Sequence, residues 1–573
     1  MEKKKRSKTK RILLWILGIL AGIILVIGVV VYFYWSNLIE GALEDTVKRE
    51  TKGLYKADVG SVYYGIFGGN LYIRKLSLMP DTAVYNAMNP DSAPAILFGL
   101  TVRKITVLDF DLKKALFSKR IEAKRIDVKS PELKIWRKKI PVPDTTGKPK
   151  DTTQSIPLPG GWDYISVGTI SLVTGSLTYI DQATDSVKEF TIPYVDIQVV
   201  NLWVDSTWRT DPRIYNTDDI AVTLRDIEQQ TGNGMYAMHF GEVGLSTGHN
   251  LVYIDRFHLE PLFNRHEFSR KLGYQTDRMD VQVQKILLSG IDWKELMLDK
   301  RLVAGKLRID SLVLDDYRDK RVPMRPGFKP PMPQQLIRGL KTYVWIDSLE
   351  VANGKATYSE QVSNEPGTIF FNRINGLLKG FTNDSVWLAE KKVSPLTAEA
   401  YIAGSGKLQA TVRFIFGDTR NRFTLSAELS RFDLTKINPM LSKLEPAEIE
   451  SGMVKKMVIP KIQFNDDFSI GNLTFYYDNL SFKMFKEKNT AWDGIKTGLI
   501  NFVATDFLIN KSNPLPNGKL NTGVVYFQRD KHKSIINFIW KSIFSGLKSN
   551  MGFNTKEQKA IKKGKNSRRV KKQ

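Results

Sequence analysis

The sequence predicts a mainly β protein with short helices, in which an N-terminal transmembrane helix precedes antiparallel β structure built from repeated units. Three observations carry that reading: an uncharged apolar run near the N-terminus, a self-match at a shift of 181 residues, and strand-like alternation inside the matching segments.

The apolar run extends from Ile12 to Trp35 without one charged residue, directly behind the basic cluster Lys3, Lys4, Lys5, Arg6, Lys8, Lys10 and Arg11. A hydrocarbon core about 30 Å thick takes about 20 apolar helical residues, so the run is long enough to span. Secretory signal peptides carry a shorter apolar core and a small-residue cleavage site. Here Tyr32, Phe33, Tyr34 and Trp35 close the segment as an interfacial aromatic belt would. Basic residues precede the run, and Glu40, Glu44 and Asp45 follow it, which places the N-terminus in the cytoplasm and the main body across the membrane.

Charge and composition exclude several classes. The net charge is +25, but residues 1–11 (+6) and 555–573 (+8) hold +14 of it, leaving +11 spread over the body. Basic termini of this kind suit membrane surfaces or topology, and no zinc-finger, RRM or helix-turn-helix pattern accompanies them, so no nucleic-acid partner is expected. Cysteine is absent, which removes disulfides and thiolate metal sites.

Aligning residues 55–137 with 236–318 gives 18 identities in 83 positions, among them Tyr55/Tyr236, Gly60/Gly241, Tyr72/Tyr253, Lys104/Lys285, Asp111/Asp292, Arg120/Arg301 and Arg137/Arg318. Each copy runs into a Pro-rich break, and the match resumes at a shift of 179 with Gly175/Gly354, Thr178/Thr357 and Tyr179/Tyr358. The chain therefore reads as two related units of about 180 residues and a divergent C-terminal third. Within them, Ile126, Val128, Leu133 and Ile135 alternate with Asp127, Lys129, Glu132 and Lys134, the period of two that puts one side of a strand on an apolar surface. Leu307 and Ile309 repeat the pattern, and Phe423, Leu425 and Leu429 extend it into the C-terminal third. Asp111 and Asp292 precede LKKALF and WKELML, where an Asp suits a helix cap. At about 15 residues per strand and turn, the part beyond the anchor would hold roughly 33 strands.

Chemistry is sparse. His239, His249, His258 and His266 cluster in sequence without a metal-ligand spacing. Asp109/Asp111 and Asp315/Asp316 resemble paired carboxylates, but Asp109 aligns with Gly290, and Asp315/Asp316 with Lys134/Ile135, so neither pair belongs to the repeated unit. No nucleophile elbow or phosphate loop is present. No enzyme activity, catalytic residue, metal or cofactor is expected. Near the C-terminus, Ile536, Ile539, Trp540, Ile543 and Leu547 recur at helical spacing beside Lys531, Lys533, Lys541 and Lys548. Such a helix either closes the end of the sheet or lies on a membrane surface.

The anchor, the segment VGSVYYGIFGGNLYIRKLSLMP, the pattern Ile-x-Ala-x-x-Ile-x-Val-x-x-Pro-x-Leu-x-Ile ending at Ile135, and SRFDLTKINPMLSKLEPAEIESGMV together resemble the AsmA superfamily of bacterial envelope proteins. The resemblance implies a single-pass inner-membrane protein with an elongated, twisted antiparallel β-groove in the periplasm, a rod on the order of 150 Å at most, whose apolar groove binds or conducts phospholipid towards the outer membrane. The alternative is an assembly factor for outer-membrane proteins or envelope complexes. Implied partners are phospholipid, the inner membrane, and either the inner leaflet of the outer membrane or outer-membrane proteins. The expected organisation is a cytoplasmic basic tail (1–11), an anchor (12–35), two groove units (36–235 and 236–395), a C-terminal β region (396–530), an amphipathic helix (531–550) and a flexible basic tail (551–573). Lipid-contact candidates are Ile126, Val128, Leu133, Ile135, Leu307, Ile309, Phe423, Leu425 and Leu429; membrane-surface candidates are Ile536, Ile539, Trp540, Ile543 and Leu547.

Overall fold

A computed structural model describes residues 47–48, 51–65, 69–89, 93–138, 163–183, 187–205, 213–445, 447–484 and 510–564. The expected anchor at 12–35 lies outside the described residues. Among the described residues no helix is long and apolar enough to cross a membrane.

The protein is mainly β, with twenty strands among the described residues. The chain divides into two compact units, Met1–Ile227 with Gly241–Val252, and Glu228–Phe240 with Tyr253–Gln573. Seven strands belong to the first: β1 (Tyr55–Gly65), β2 (Asn70–Pro80), β3 (Ile96–Leu108), β4 (Arg120–Lys138), β5 (Tyr164–Gln182), β6 (Lys188–Val204) and most of β7 (Asp219–Gln230). Strands β8 (Tyr236–Ser246) and β9 (Leu251–Pro261) are divided between the units. The second holds β10 (Asp277–Ser289), β11 (Leu302–Asp319), β12 (Val344–Gln361), β13 (Pro366–Thr382), β14 (Val393–Ile402), β15 (Gly406–Ile415), β16 (Phe423–Leu429), β17 (Phe432–Asp433), β18 (Ala447–Phe464), β19 (Phe468–Met484) and β20 (Gly523–Gln528). Among the described residues the strands are longer than the rough sequence estimate assumed: β4 and β5 run 19 residues each and β11, β12 and β18 run 18.

Strand limits recur along the chain. Both ends of β1, β2 and β3 reappear 181 residues later as β8, β9 and β10. Left-handed residues recur too: Lys75 (φ 53°) with Arg256 (55°), Lys119 (50°) with Lys300 (56°), Ser130 (50°) with Ser311 (55°), and, at a shift of 179, Thr174 (53°) with Asn353 (54°). Lys119 and Lys300 end the short helices before β4 and β11, and the other three pairs lie within strands. Positive φ is uncommon outside glycine, so these coincidences show that the kinks are placed, not incidental.

The all-antiparallel expectation is overturned at two equivalent places. Strands β4 and β5 pair in parallel, with Ile126 opposite Ile170, and so do β11 and β12, with Ile309 opposite Val351. The other strand pairings with a defined register are antiparallel. A parallel pair needs a crossover of about a dozen residues or more, because a tight turn reverses direction. In sequence, Pro-rich stretches separate both pairs: 139–163 between β4 and β5, of which 139–162 lie outside the described residues, and 320–343 between β11 and β12.

The short helices start as the sequence requires. Asp111 accepts a hydrogen bond from the Lys114 amide (3.0 Å), capping Leu112–Ser118, and Asp292 accepts one from the Glu295 amide (3.0 Å). The C-terminal helix is Ile535–Asn550, with Ser534 as its N-cap. The expectation of a flexible basic tail fails for Lys556–Lys562, which forms a helix pinned by buried Gln558. The Gln558 amide donates to the Val524 carbonyl at 2.7 Å, and Thr555 and Gln558 close a capping box.

Candidate lipid-contact face

Each unit carries an apolar sheet face built from two adjacent cross-strand rows. In the first unit, Tyr64, Leu71, Val107, Ile126, Ile170, Val199 and Ile220 face one another across β1 to β7. Beside them run Val62, Ile73, Ile105, Val128, Leu172, Ile197 and Val222. In the second unit the first row is Leu288, Leu307, Leu349, Leu378, Leu396, Val412, Leu425 and Ile462. The second is Ile286, Ile309, Val351, Gly376, Ala398, Ala410, Ala427 and Ile459. No polar side chain interrupts either second-unit row. At about 4.8 Å between strands, eight strands make a band on the order of 34 Å long.

The two faces differ in cover at their centres: Val62, Tyr64, Leu172, Ile197, Ile220 and Val222 of the first stay partly exposed, but the rest of its two rows is buried. Ile126 is 2% exposed and Val128 is fully buried; Leu71, Ile73, Ile105, Val107, Ile170 and Val199 are buried with them, and Phe110 and Ala115 pack against the same cluster. In the second unit Leu288, Leu307, Leu349, Leu378, Leu396 and Val412 stay partly exposed, as do Ile286, Ile309, Val351, Ala398, Ala410 and Ala427. The band closes at β16 and β18, where Leu425, Ile459 and Ile462 are buried.

Aromatic packing seals the adjacent row. Phe414 lies 5.6 Å from Phe423 between ring centroids, Phe423 stacks on Phe464 at 4.4 Å, and Phe464 meets Phe538 of the C-terminal helix edge-on at 5.2 Å. Met332 and Ile337 join this cluster, and Leu434, Ile437 and Leu441 pack against it from the Leu434–Leu444 region.

The remaining predicted residues are placed as follows. Leu133 and Ile135 are half-buried on β4; Phe423 and Leu429 are buried in the second unit's core. In the C-terminal helix, Ile539, Ile543 and Leu547 pack partly against that core, while Ile536 (76% exposed) and Trp540 (52%) point outwards. The helix seats on β19 and β20 through small residues: Ser542 bonds Ser469 (2.7 Å), Ser545 donates to the Tyr526 carbonyl (2.7 Å), and Gly546 lies where an added Cβ would strike Leu473 and Val525. The five residues therefore do not form one outward stripe. The small-residue side that brings them close to the strands was the missed signal.

The opposite sheet face is wet. Glu350, Thr397, Glu399, Gln409, Thr411, Ser426 and Glu428 alternate with the second apolar row and line an open depression of ≈ 860 Å³. Its carboxylates are paired: Lys407 lies 2.9 Å from Glu399 and holds that carboxyl below its usual range, Lys456 lies 2.8 Å from Glu428, and Arg308 donates to Glu350 at 2.9 Å. These exposed pairs contribute little stability.

Among the described residues no group of three or more His, Asp or Glu side chains could hold a metal. His239 contacts Glu260 (3.1 Å), His258 contacts Asp280 (2.9 Å), and His249 contacts Ser246 (2.9 Å). Asp315 pairs with Arg265 at 2.6 Å. The band residues on β10, β12, β13, β14 and β15 escaped sequence reading. For Leu349 and Val351 the alignment with Ile170 and Leu172 was an available signal.

No protein-family model matches the chain, and no curated protein matches it.

Proposed function

We propose that this protein is a membrane-anchored, AsmA-like envelope protein that holds or conducts phospholipid along the apolar sheet face of its second unit. One observation carries the reading: two cross-strand rows of apolar side chains run over eight strands and stay partly open over six of them. An acyl chain in water costs about 0.8 kcal/mol per exposed methylene, and a continuous apolar band removes that cost without a nucleophile, base or metal. The anchor and the exported body rest on the charge asymmetry around residues 12–35.

The test is mass spectrometry of lipid retained by the purified full chain. Phospholipid held in wild type and lost from Leu378→Asp with Leu396→Asp, at matched folded yield, supports the reading. A chain that retains no phospholipid but brings down a stoichiometric outer-membrane protein supports the assembly-factor alternative instead.

A further inference from the structure

The second unit's apolar face ends in a cluster of charge that goes beyond the first unit's Arg137–Asp181 pair, because Asp277 and Asp316 stand where the first copy has Ile96 and Ile135. Past Ser311 (φ 55°) the side-chain alternation of β11 slips by one. The slip is visible at the equivalent Ser130, after which Pro131, Leu133 and Ile135 are more buried than Glu132 and Lys134. Leu312, Leu314, Asp316 and Arg318 accordingly continue the face of Leu307 and Ile309. Asp316 stands where the first copy has Ile135.

Asp316 sits between Met279 of β10 and Tyr358 of β12, and the next row across the same strands is Asp277, Arg318 and Glu360. Most of these charges are matched. Arg318 makes a forked pair with Asp277 (2.6 and 2.7 Å); Glu360 accepts from Lys320 (2.6 Å) and from the Tyr358 hydroxyl (2.7 Å). Two opposite charges remain without a counter-ion at hydrogen-bond distance among the described residues. The Oδ1 of Asp316 is buried with no hydrogen-bond partner, and the Lys533 ammonium meets the Met324 sulfur at 3.4 Å. Burial pushes the Asp316 carboxyl up to about 7, with Asp277 adding to it, and burial with the Lys320 cation beside it pushes the Lys533 ammonium down. Arg318 lies within charge range of both groups. An unpaired buried charge is costly, so the Asp316 carboxylate favours an opposite charge brought by a ligand, and the partly exposed Lys533 ammonium is open to an anion beside it.

We propose that this cluster is a headgroup site for a phospholipid carrying a primary amine, with the ammonium on Asp316, the phosphate on Lys533, and the acyl chains along the adjoining apolar rows. The inference rests on the lipid-binding reading and adds a headgroup class to it. An apolar band ending in one free anion and one free cation matches an amphiphile whose head bears both charges.

The experiment equilibrates the detergent-solubilised full chain with an equimolar mixture of phosphatidylethanolamine and phosphatidylglycerol, and quantifies both lipids retained by wild type, Asp316→Ile and Lys533→Gln. Asp316→Ile restores the first-copy side chain; Asp316→Asn removes the same charge with little change of shape and serves if the isoleucine variant misfolds. Wild type should retain the amine lipid several-fold over the other, and both charge variants should keep total lipid while losing that preference. Equal retention of the two lipids by wild type, or an unchanged preference in the variants, overturns the headgroup site and leaves the apolar band intact. Absence of both lipids from wild type contradicts the lipid reading itself.

Discussion

The two apolar faces are written in the same register and finished differently. Ile126 and Val128 align with Leu307 and Ile309, and Ile170 and Leu172 with Leu349 and Val351, so the same rows recur in both units. In the first unit the aligned residues on β4 are buried; in the second they are half-open. One pattern of alternation thus serves a core and an accessible band, and what separates them is the packing laid over the rows. In the first unit Phe110 and Ala115 join the buried cluster; in the second the equivalent of Phe110, Ile291, is buried as well, but that of Ala115, Leu296, is only partly buried. The first face is read as stability and the second as a binding surface.

The comparison is broken most severely by charge. Val128→Asp should destabilise the first unit by several kcal/mol, because no water reaches that position. Ile309→Asp, its counterpart, should leave most of the stability in place because the half-open site lets the carboxylate hydrate. Chemical denaturation of both variants checks this, and equal losses would erase the distinction between core and band. Truncation should show the same order more mildly. Ile126→Ala should cost about 2–5 kcal/mol, as a buried large-to-small change does, and Leu396→Ala less than that while lowering retained lipid.

A smaller effect follows from Asp316. Its carboxyl in the folded protein titrates near 7, raised from 3.8 by burial and then by Asp277. A folded-state value above the unfolded one means that the stability linked to this proton is fully present below about pH 4 and is lost as pH rises through about 7. With allowance for its partial solvation, the amount is on the order of 1–2 kcal/mol. Thermal melts at pH 5 and pH 8 should therefore differ less in Asp316→Asn than in wild type. An identical pH response in the two proteins would remove Asp316 as the source. The smallest change is expected at the helix starts, where Asp111→Asn and Asp292→Asn each remove a charged cap acceptor and should cost at most about 1 kcal/mol, leaving retained lipid unchanged.

Much of the mainly β fold was legible because a period of two and a repeat at a fixed shift are local features of the sequence. Strand direction was not. Ile126 and Val128 alternate identically whether β5 runs with β4 or against it, and only the length of the Pro-rich segments hinted at crossovers. The left-handed residues were equally hidden, since Lys75, Ser130 and Ser311 carry no glycine signature, yet Ser311 is what places Asp316 on the apolar face. The C-terminal helix was found by its period, and of the two facings its sequence left open the side packed on the sheet was not legible from the large apolar residues. Large apolar residues drew attention, while Ser542, Ser545 and Gly546 set how closely the helix meets β19 and β20. Of the lipid-contact candidates, Leu307 and Ile309 fall on the open band, whereas Ile126 and Val128 fall in a core.

The most direct test of the open band is photocrosslinking in intact cells, with a benzophenone amino acid placed at Leu396 and, one residue along β14, at Thr397. Side chains alternate between the two faces, so neighbouring positions sample the apolar band and the wet depression with the same local backbone. The account predicts a phospholipid adduct from Leu396 and none from Thr397. Adducts from both positions or from neither, with the protein present at normal level, would contradict it.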